Sequence, residues 1–123
     1  MSEKQKISVL MSVYIKENPT FLKDAIESVQ NQTLKPSELV LVEDGPLTPE
    51  LYQVLDQLEA ESDIPVKRYP LEQNQGLGLA LRYGVLQCQY DIIARMDTDD
   101  IAVPDRFEKQ VQLMEKDKLD LLG

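Results

Sequence analysis

Apolar and polar stretches alternate along this chain in a pattern that predicts strands and helices in succession. Residues 7–14 and 39–42 are almost continuously apolar or β-branched, which is typical of strands buried on both faces of a sheet. Asn18 and Pro19 suit the cap and the first turn of the helix between them. The inward face of that helix is predicted from the helical spacing of Leu22, Ala25, Ile26 and Val29.

The second half of the chain continues this succession. Thr48 and Pro49 begin a second helix, whose apolar stripe is Leu51, Val54, Leu55 and Leu58. Residues 64–69 form a more polar strand, which suits an edge position because it contains a proline. A third helix opens at 74–78, and its inward side is predicted to be Leu77, Leu81, Val85 and Cys88. A strand over 91–96, a helix from 104 and a strand over 119–123 complete the pattern.

Strands that alternate with helices predict an α/β fold, with a mostly parallel sheet covered by helices on both faces. Ligands of such sheets bind beyond the carboxyl ends of the strands. Polar side chains follow several predicted strands at that edge: Tyr14 after the first, Glu43 and Asp44 after the second, and residues 97–100 after the fourth. Their common location predicts a single binding site.

Composition excludes several classes of chemistry. The 123 residues include no histidine and one cysteine, so histidine-based catalysis and an internal disulfide are both excluded. A net charge of −9 argues against nucleic acid as a partner, because binding a phosphate backbone requires clustered lysine and arginine. No apolar run approaches the roughly 20 residues that span a bilayer. We therefore expect a cytoplasmic protein.

The carboxylates of Asp97, Asp99 and Asp100 are crowded at the end of the fourth strand. Like charges this close repel one another, and the hard cations Mg2+ and Mn2+ prefer carboxylate oxygens together with substrate phosphates. This pattern favours a metal and phosphate site. The alternative is a solvated turn in which an aspartate caps the next helix. The spacing of Gly76 and Gly78 does not make a dinucleotide fingerprint, and Ala102 stands where a calcium loop requires glycine.

Five short blocks together resemble family 2 glycosyltransferases, and in particular their amylovoran-biosynthesis-like branch. The blocks are Ser8–Tyr14, Ser28–Thr33, Val40–Gly45, Asn74–Ala80 and Met96–Asp100. They occur in the family's order and spacing over essentially the whole chain. The resemblance implies a three-layer α/β/α, Rossmann-like GT-A fold, of which residues 1–123 would be the N-terminal, nucleotide-sugar-binding part. The acceptor half and the catalytic base are expected beyond Gly123.

The resemblance also implies roles for individual residues. Tyr14 and Glu17 would lie near the nucleotide, Asp44 with Glu43 would read its base, and Asn74 and Gly76 would belong to the loop that closes over it. Asp97 and Asp99 match the family's Asp-x-Asp motif, which holds the ribose and, through Mn2+ or Mg2+, the diphosphate; Asp100 is adjacent. Leu81 stands where many members of the family have arginine.

The implied reaction is inverting transfer of a sugar from a nucleotide-diphosphate donor, which we expect to be a UDP-sugar. A glycan or a lipid-linked acceptor would receive it during synthesis of a bacterial surface polysaccharide, and sequence beyond this stretch could hold the protein at the inner face of the plasma membrane. This part alone should be inactive. Two alternatives stay open: a sugar-phosphate nucleotidyltransferase, which would want a glycine-rich loop where residues 12–17 have no glycine, and a non-catalytic module that binds a nucleotide or a protein.

Overall fold

The computed structural model describes residues 6–98, 108–109 and 121–122. The strands are β1 (Ile7–Val13), β2 (Glu38–Glu43), β3 (Val66–Pro70), β4 (Ile92–Arg95) and β5 (Leu121–Leu122). The helices that lie wholly within these residues are α1 (Pro19–Gln30), α2 (Pro49–Glu61) and α3 (Leu77–Gln87). Glu108 and Lys109 are helical, and the rest of the helix predicted from residue 104 lies outside the described residues.

The five strands form one sheet in the order β3-β2-β1-β4-β5, and every pair of neighbours is parallel. Strand β3 lies at an edge, as its proline predicted. Helices α1 and α2 pack together on one face, while α3 packs against β1 and β2 on the other. The predicted α/β fold with helices on both faces of a parallel sheet is therefore confirmed.

The first two helices begin where the sequence predicts. The side chain of Asn18 accepts hydrogen bonds from the backbone N–H groups of Thr20 and Phe21, and Thr48 Oγ1 accepts one from Leu51. These bonds satisfy N–H groups that have no partner within the helix. The buried face of α1 consists of the four predicted residues, Leu22, Ala25, Ile26 and Val29. None of the helices within the described ranges is both long and apolar enough to cross a bilayer.

The face that α3 turns to the sheet matches the predicted one only in part: of the predicted residues, Leu81 and Cys88 pack against the buried cluster on this side of the sheet. Its buried residues are Ala80 and Gly84, whereas Leu77 and Val85 are 54% and 41% exposed. The reason is the short distance between helix and sheet: a Cβ on Gly84 would lie 2.4 Å from Leu10 Cδ1. Only small side chains fit at such a contact, so the helical spacing of large apolar residues does not identify Ala80 and Gly84 as the points of closest approach.

Adding one methyl group at Gly84 is therefore expected to destabilise the protein. Gly84→Ala would also place its Cβ 3.0 Å from Val42 Cγ2, and overpacking of this kind costs about 1–3 kcal/mol, partly offset by the roughly 1 kcal/mol higher helix propensity of alanine. Gly78→Ala is the matched control, because its Cβ would meet nothing within 4 Å. Urea unfolding should show a lower midpoint for Gly84→Ala only; equal midpoints for both variants would contradict the close contact.

A buried polar cluster ties the strands together at the amino edge of the sheet. The Glu38 carboxylate accepts hydrogen bonds from Ser8 Oγ (2.6 Å), Lys67 Nζ (2.8 Å) and the Gln89 N–H (2.6 Å). Burial opposes the charge on Glu38, but these donors lower its pKa overall. Burial and the nearby Glu38 charge raise the pKa of Cys88 to about 11. Cys88 is thus a thiol of low reactivity rather than a nucleophile.

Candidate functional site

A cleft of about 470 Å3 opens at the carboxyl edge of the sheet. Its volume lies within the roughly 300–1,000 Å3 range of small-molecule sites. The residues that line it come from the ends of β1, β2 and β4 and from the start of α3: Ser12, Tyr14, Glu17, Asp44, Asn74, Gly76, Leu77, Leu81, Met96, Asp97 and Thr98. Six of these residues were predicted as site residues from the sequence: Tyr14, Glu17, Asp44, Asn74, Gly76 and Asp97.

The turn after β1 supplies Tyr14 and Glu17. The N–H of Glu17 donates a hydrogen bond to the Tyr14 carbonyl (3.1 Å), which closes a tight turn before α1. Tyr14 is exposed and lines the cleft. An exposed aromatic side chain beside polar groups offers a flat surface on which a planar ligand group can stack.

Asp44 connects the end of β2 to the loop that precedes α3. Its side chain is 3% exposed, and its two oxygens accept hydrogen bonds from the N–H groups of Gln75 (2.6 Å) and Gly76 (3.1 Å). The Asn74 side chain donates to the Asp44 carbonyl at 3.3 Å. Asp44 therefore fixes the position of the loop that forms one wall of the cleft.

Gly45 allows this loop to lie close to β2. Its φ of +90° is a conformation that residues with a Cβ rarely adopt, and a Cβ there would lie 2.7 Å from the Asn74 nitrogen. Gly76 has a φ of +93° and precedes the first turn of α3, but no atom lies within 4 Å of its Cβ position. Backbone conformation favours glycine at both positions, and close packing favours it at Gly45 alone.

Glu43 is placed away from the cleft, although the sequence puts it beside Asp44. Its side chain is 5% exposed and lies 2.6 Å from Arg68 Nε, while Arg68 Nη1 also contacts Asp56 and Glu59 of α2. Successive side chains of a strand point to opposite faces, so Glu43 and Asp44 diverge at the end of β2. Of the two adjacent acids, the structure brings Asp44 alone to the cleft.

Asp97 brings a carboxylate to the cleft directly after β4. Its side chain is 48% exposed, and Oδ1 lies 3.6 Å from Arg95 Nη2. Asp99 and Asp100, the other predicted metal ligands, lie outside the described residues. Among the residues that the structure describes, no three acidic, cysteine or histidine side chains are grouped as a metal site. The carboxylate oxygens of Asp97 are nevertheless the type of donor that Mg2+ and Mn2+ prefer.

The structure adds five residues to the predicted site: Ser12, Leu77, Leu81, Met96 and Thr98. Leu77 and Leu81 were assigned to the core from their helical spacing; both line the cleft, and Leu81 also packs against the core. Thr98 is 6% exposed, and its hydroxyl donates a hydrogen bond to the Glu17 carboxylate. The signal for Thr98 was its place between Asp97 and Asp99, which predicts that it lies at the site but not what it contacts.

Similarity to known proteins extends over almost the whole chain. The sequence profile described as "Glycosyl transferase family 2" matches residues 8–123. "Amylovoran biosynthesis glycosyltransferase AmsE" from Erwinia amylovora is 47% identical over 108 residues, which cover 88% of this chain and 40% of that protein. "UDP-Gal:alpha-D-GlcNAc-diphosphoundecaprenol beta-1,3-galactosyltransferase" from Escherichia coli is 42% identical over 111 residues, which cover 90% of this chain and 40% of that protein. The chain thus spans about two fifths of the length of these relatives.

The same fold occurs in a solved structure. The crystal structure of S. aureus TarS residues 1–349 in complex with UDP-GlcNAc superimposes with a TM-score of 0.77 and 21% sequence identity. The match covers 91% of this chain and 32% of TarS. It confirms the predicted GT-A type of three-layer α/β/α fold.

Proposed function

Because this chain belongs to glycosyl transferase family 2, we propose that it is the nucleotide-sugar-binding part of a glycosyltransferase that builds a bacterial surface polysaccharide. One observation carries the proposal. Side chains predicted from separate blocks of sequence line a single cleft beyond the carboxyl ends of parallel strands, where ligands of such sheets bind. The cleft combines an exposed aromatic ring with carboxylates, a chemistry that suits a nucleotide whose phosphates are bound through a cation.

The donor in this proposal is a UDP-sugar. Support comes from the named substrates of similar proteins, UDP-Gal for the E. coli relative and UDP-GlcNAc in the TarS complex. Tyr14 would stack against the nucleotide, and Asp44 would accept a hydrogen bond from the base. Each oxygen of a carboxylate has two acceptor sites, so the bonds from Gln75 and Gly76 leave Asp44 with capacity for a further donor.

The proposed cofactor is Mn2+ or Mg2+, held by Asp97 together with Asp99 and Asp100. When bound, such a cation neutralises the diphosphate and stabilises the nucleoside diphosphate as it leaves. The chain's own contribution would be to orient the donor: Asp97 at one wall of the cleft and the loop of Asn74 and Gly76 at the other. Without a cation, the negative charges of these carboxylates would instead repel the diphosphate.

The proposed reaction is a direct displacement at the anomeric carbon, with inversion, by a hydroxyl group of a glycan or lipid-linked acceptor. The name of the E. coli relative includes a diphosphoundecaprenol-linked sugar, which supports the lipid-linked acceptor. We assign the role of general base to none of the described acids. The proposed location of the protein is the cytoplasm, with peripheral association at the inner face of the plasma membrane.

Titration calorimetry of UDP in the presence of Mn2+ tests this function. The full-length protein should bind UDP more tightly with Mn2+ than without it, and Asp99→Ala should remove that gain because it removes a proposed ligand of the cation. Asp91→Ala is the matched control. Asp91 is an exposed aspartate that precedes β4 and therefore lies at the opposite edge of the sheet, so this variant should keep the full gain.

Two results would count against the proposal. Failure of the wild-type protein to bind any nucleotide, with or without Mn2+, would exclude a donor site and favour a protein-binding module. Release of pyrophosphate from a nucleoside triphosphate and a sugar 1-phosphate would identify a nucleotidyltransferase instead. Transfer of sugar from a UDP-sugar to a lipid-linked acceptor would support the function as proposed.

A further inference from the structure

A hydrogen bond joins the loop after β1 to the loop after β4, beside Asp97 of the cleft. The Thr98 hydroxyl donates to the Glu17 carboxylate, and the two residues are 81 positions apart in the sequence. Thr98 is 6% exposed, and Glu17 is half-buried. A buried hydroxyl group needs such a partner, since leaving it without one is costly.

The two loops are brought together by neighbouring strands. Strands β1 and β4 pair in parallel with Leu10 opposite Arg95, and the Met96 N–H donates to the Leu10 carbonyl at 2.9 Å. Regular pairing ends there. Beyond that point, the Glu17–Thr98 bond continues the connection between the chain after β1 and the chain after β4. It lies one residue past Asp97, the first aspartate of the Asp-x-Asp sequence.

The Glu17–Thr98 hydrogen bond is better suited to fixing the chain after β4 than the neighbouring ion pair of Arg95 and Asp97. Arg95 and Asp97 are both about half exposed and 3.6 Å apart, and exposed ion pairs contribute little. The Glu17–Thr98 bond is sheltered and has a charged acceptor, which makes it stronger than a neutral hydrogen bond. One oxygen of the Glu17 carboxylate is thus directed at Thr98.

We propose that Glu17 is a positioning residue, which fixes the chain at Asp97 through the Thr98 hydroxyl and does not itself bind the nucleotide. The inference rests on the proposed function, because its consequence is correct placement of the aspartates that bind cation and diphosphate. It also differs from the role that the family resemblance implied for Glu17, a position near the nucleotide. Groups that orient metal ligands typically change affinity or activity about 10–100-fold when they are removed.

A double-mutant cycle on the full-length protein distinguishes the two roles of Glu17. The measured quantity is the affinity for UDP at saturating Mn2+ in wild type, Glu17→Ala, Thr98→Val and the double variant. Each single change should weaken binding about 10–100-fold. The double variant should bind UDP with the same affinity as the single variant that binds it less tightly, since both changes break the same hydrogen bond. Glu17→Gln and Thr98→Ser keep an acceptor and a hydroxyl group, and both should recover most of the affinity.

Glu61→Ala is the matched control for removal of a carboxylate. Glu61 is exposed in the last turn of α2 and contacts Gln57, so its loss should leave UDP affinity unchanged. Losses that multiply in the double variant would overturn the inference, because they would show that Glu17 acts on the nucleotide independently of Thr98. Wild-type affinity in Glu17→Ala would also overturn it. Failure of the wild type to bind UDP would instead reject the proposed function, and the inference with it.

Discussion

Replacing Arg68 with alanine is expected to lower the free energy of unfolding by about 3–5 kcal/mol, because it leaves the buried Glu43 carboxylate without its cation. Glu43 is 5% exposed at the end of β2, and Arg68 Nε lies 2.6 Å from it. Burial alone would lower the pKa of Arg68, but its contacts with Asp56, Glu43 and Glu59 raise that pKa above the ordinary value. The guanidinium therefore stays charged and joins β3 to both β2 and α2.

Two comparisons make the Arg68 prediction specific. Lys35→Ala breaks the exposed ion pair with Asp63 and should change stability by less than about 1 kcal/mol, as exposed pairs generally do. Adding Glu43→Gln to Arg68→Ala removes the buried charge and should restore part of the lost stability. Urea unfolding measures all the variants. A loss in Arg68→Ala as small as that in Lys35→Ala would show that Glu43 is not held by this contact.

Most of the fold could be predicted because it depends on local signals. Continuous apolar runs identified β1 and β2, and the side chains of Asn18 and Thr48 marked the starts of α1 and α2. The order of strands and helices then determined a parallel sheet, since parallel strands require crossover connections. The family resemblance, which rested on five blocks in register, is confirmed by the family match and by the similarity to AmsE.

The face of α3 could not be predicted from spacing alone. Leu77 and Leu81 are four residues apart, which is the signature of a helical core face, but both line the cleft and Leu81 alone of the two packs against the buried cluster of Leu10, Val40, Val42 and Ala80. Contact with the sheet is made by Ala80 and Gly84, whose small size allows the close approach. Periodicity identifies where large apolar residues recur but not what they face. A helix that borders a binding site can therefore present them to the ligand.

The contacts between distant segments were also beyond prediction. Nothing in the sequence around Glu17 indicates Thr98 as its partner, and nothing around Glu43 indicates Arg68. The sequence correctly located a polar strand end in each case. Which atom of that strand end meets which partner depends on twist, register and side-chain direction, and these arise only when the sheet is assembled.

Replacing Asp44 with alanine is expected to lower the free energy of unfolding by about 2–4 kcal/mol, because the N–H groups of Gln75 and Gly76 lose their acceptor. The freed loop should also weaken UDP binding, since the loop forms a wall of the cleft. Gly45→Ala disturbs the same loop by another route, a Cβ 2.7 Å from the Asn74 nitrogen, and should weaken UDP binding although Asp44 remains.

Amide hydrogen exchange at Gln75 and Gly76 should accelerate in Asp44→Ala, and calorimetry measures UDP affinity in both variants. If Asp44→Ala weakens UDP binding while exchange at these amides is unchanged, Asp44 acts on the base alone and its role in holding the loop is wrong.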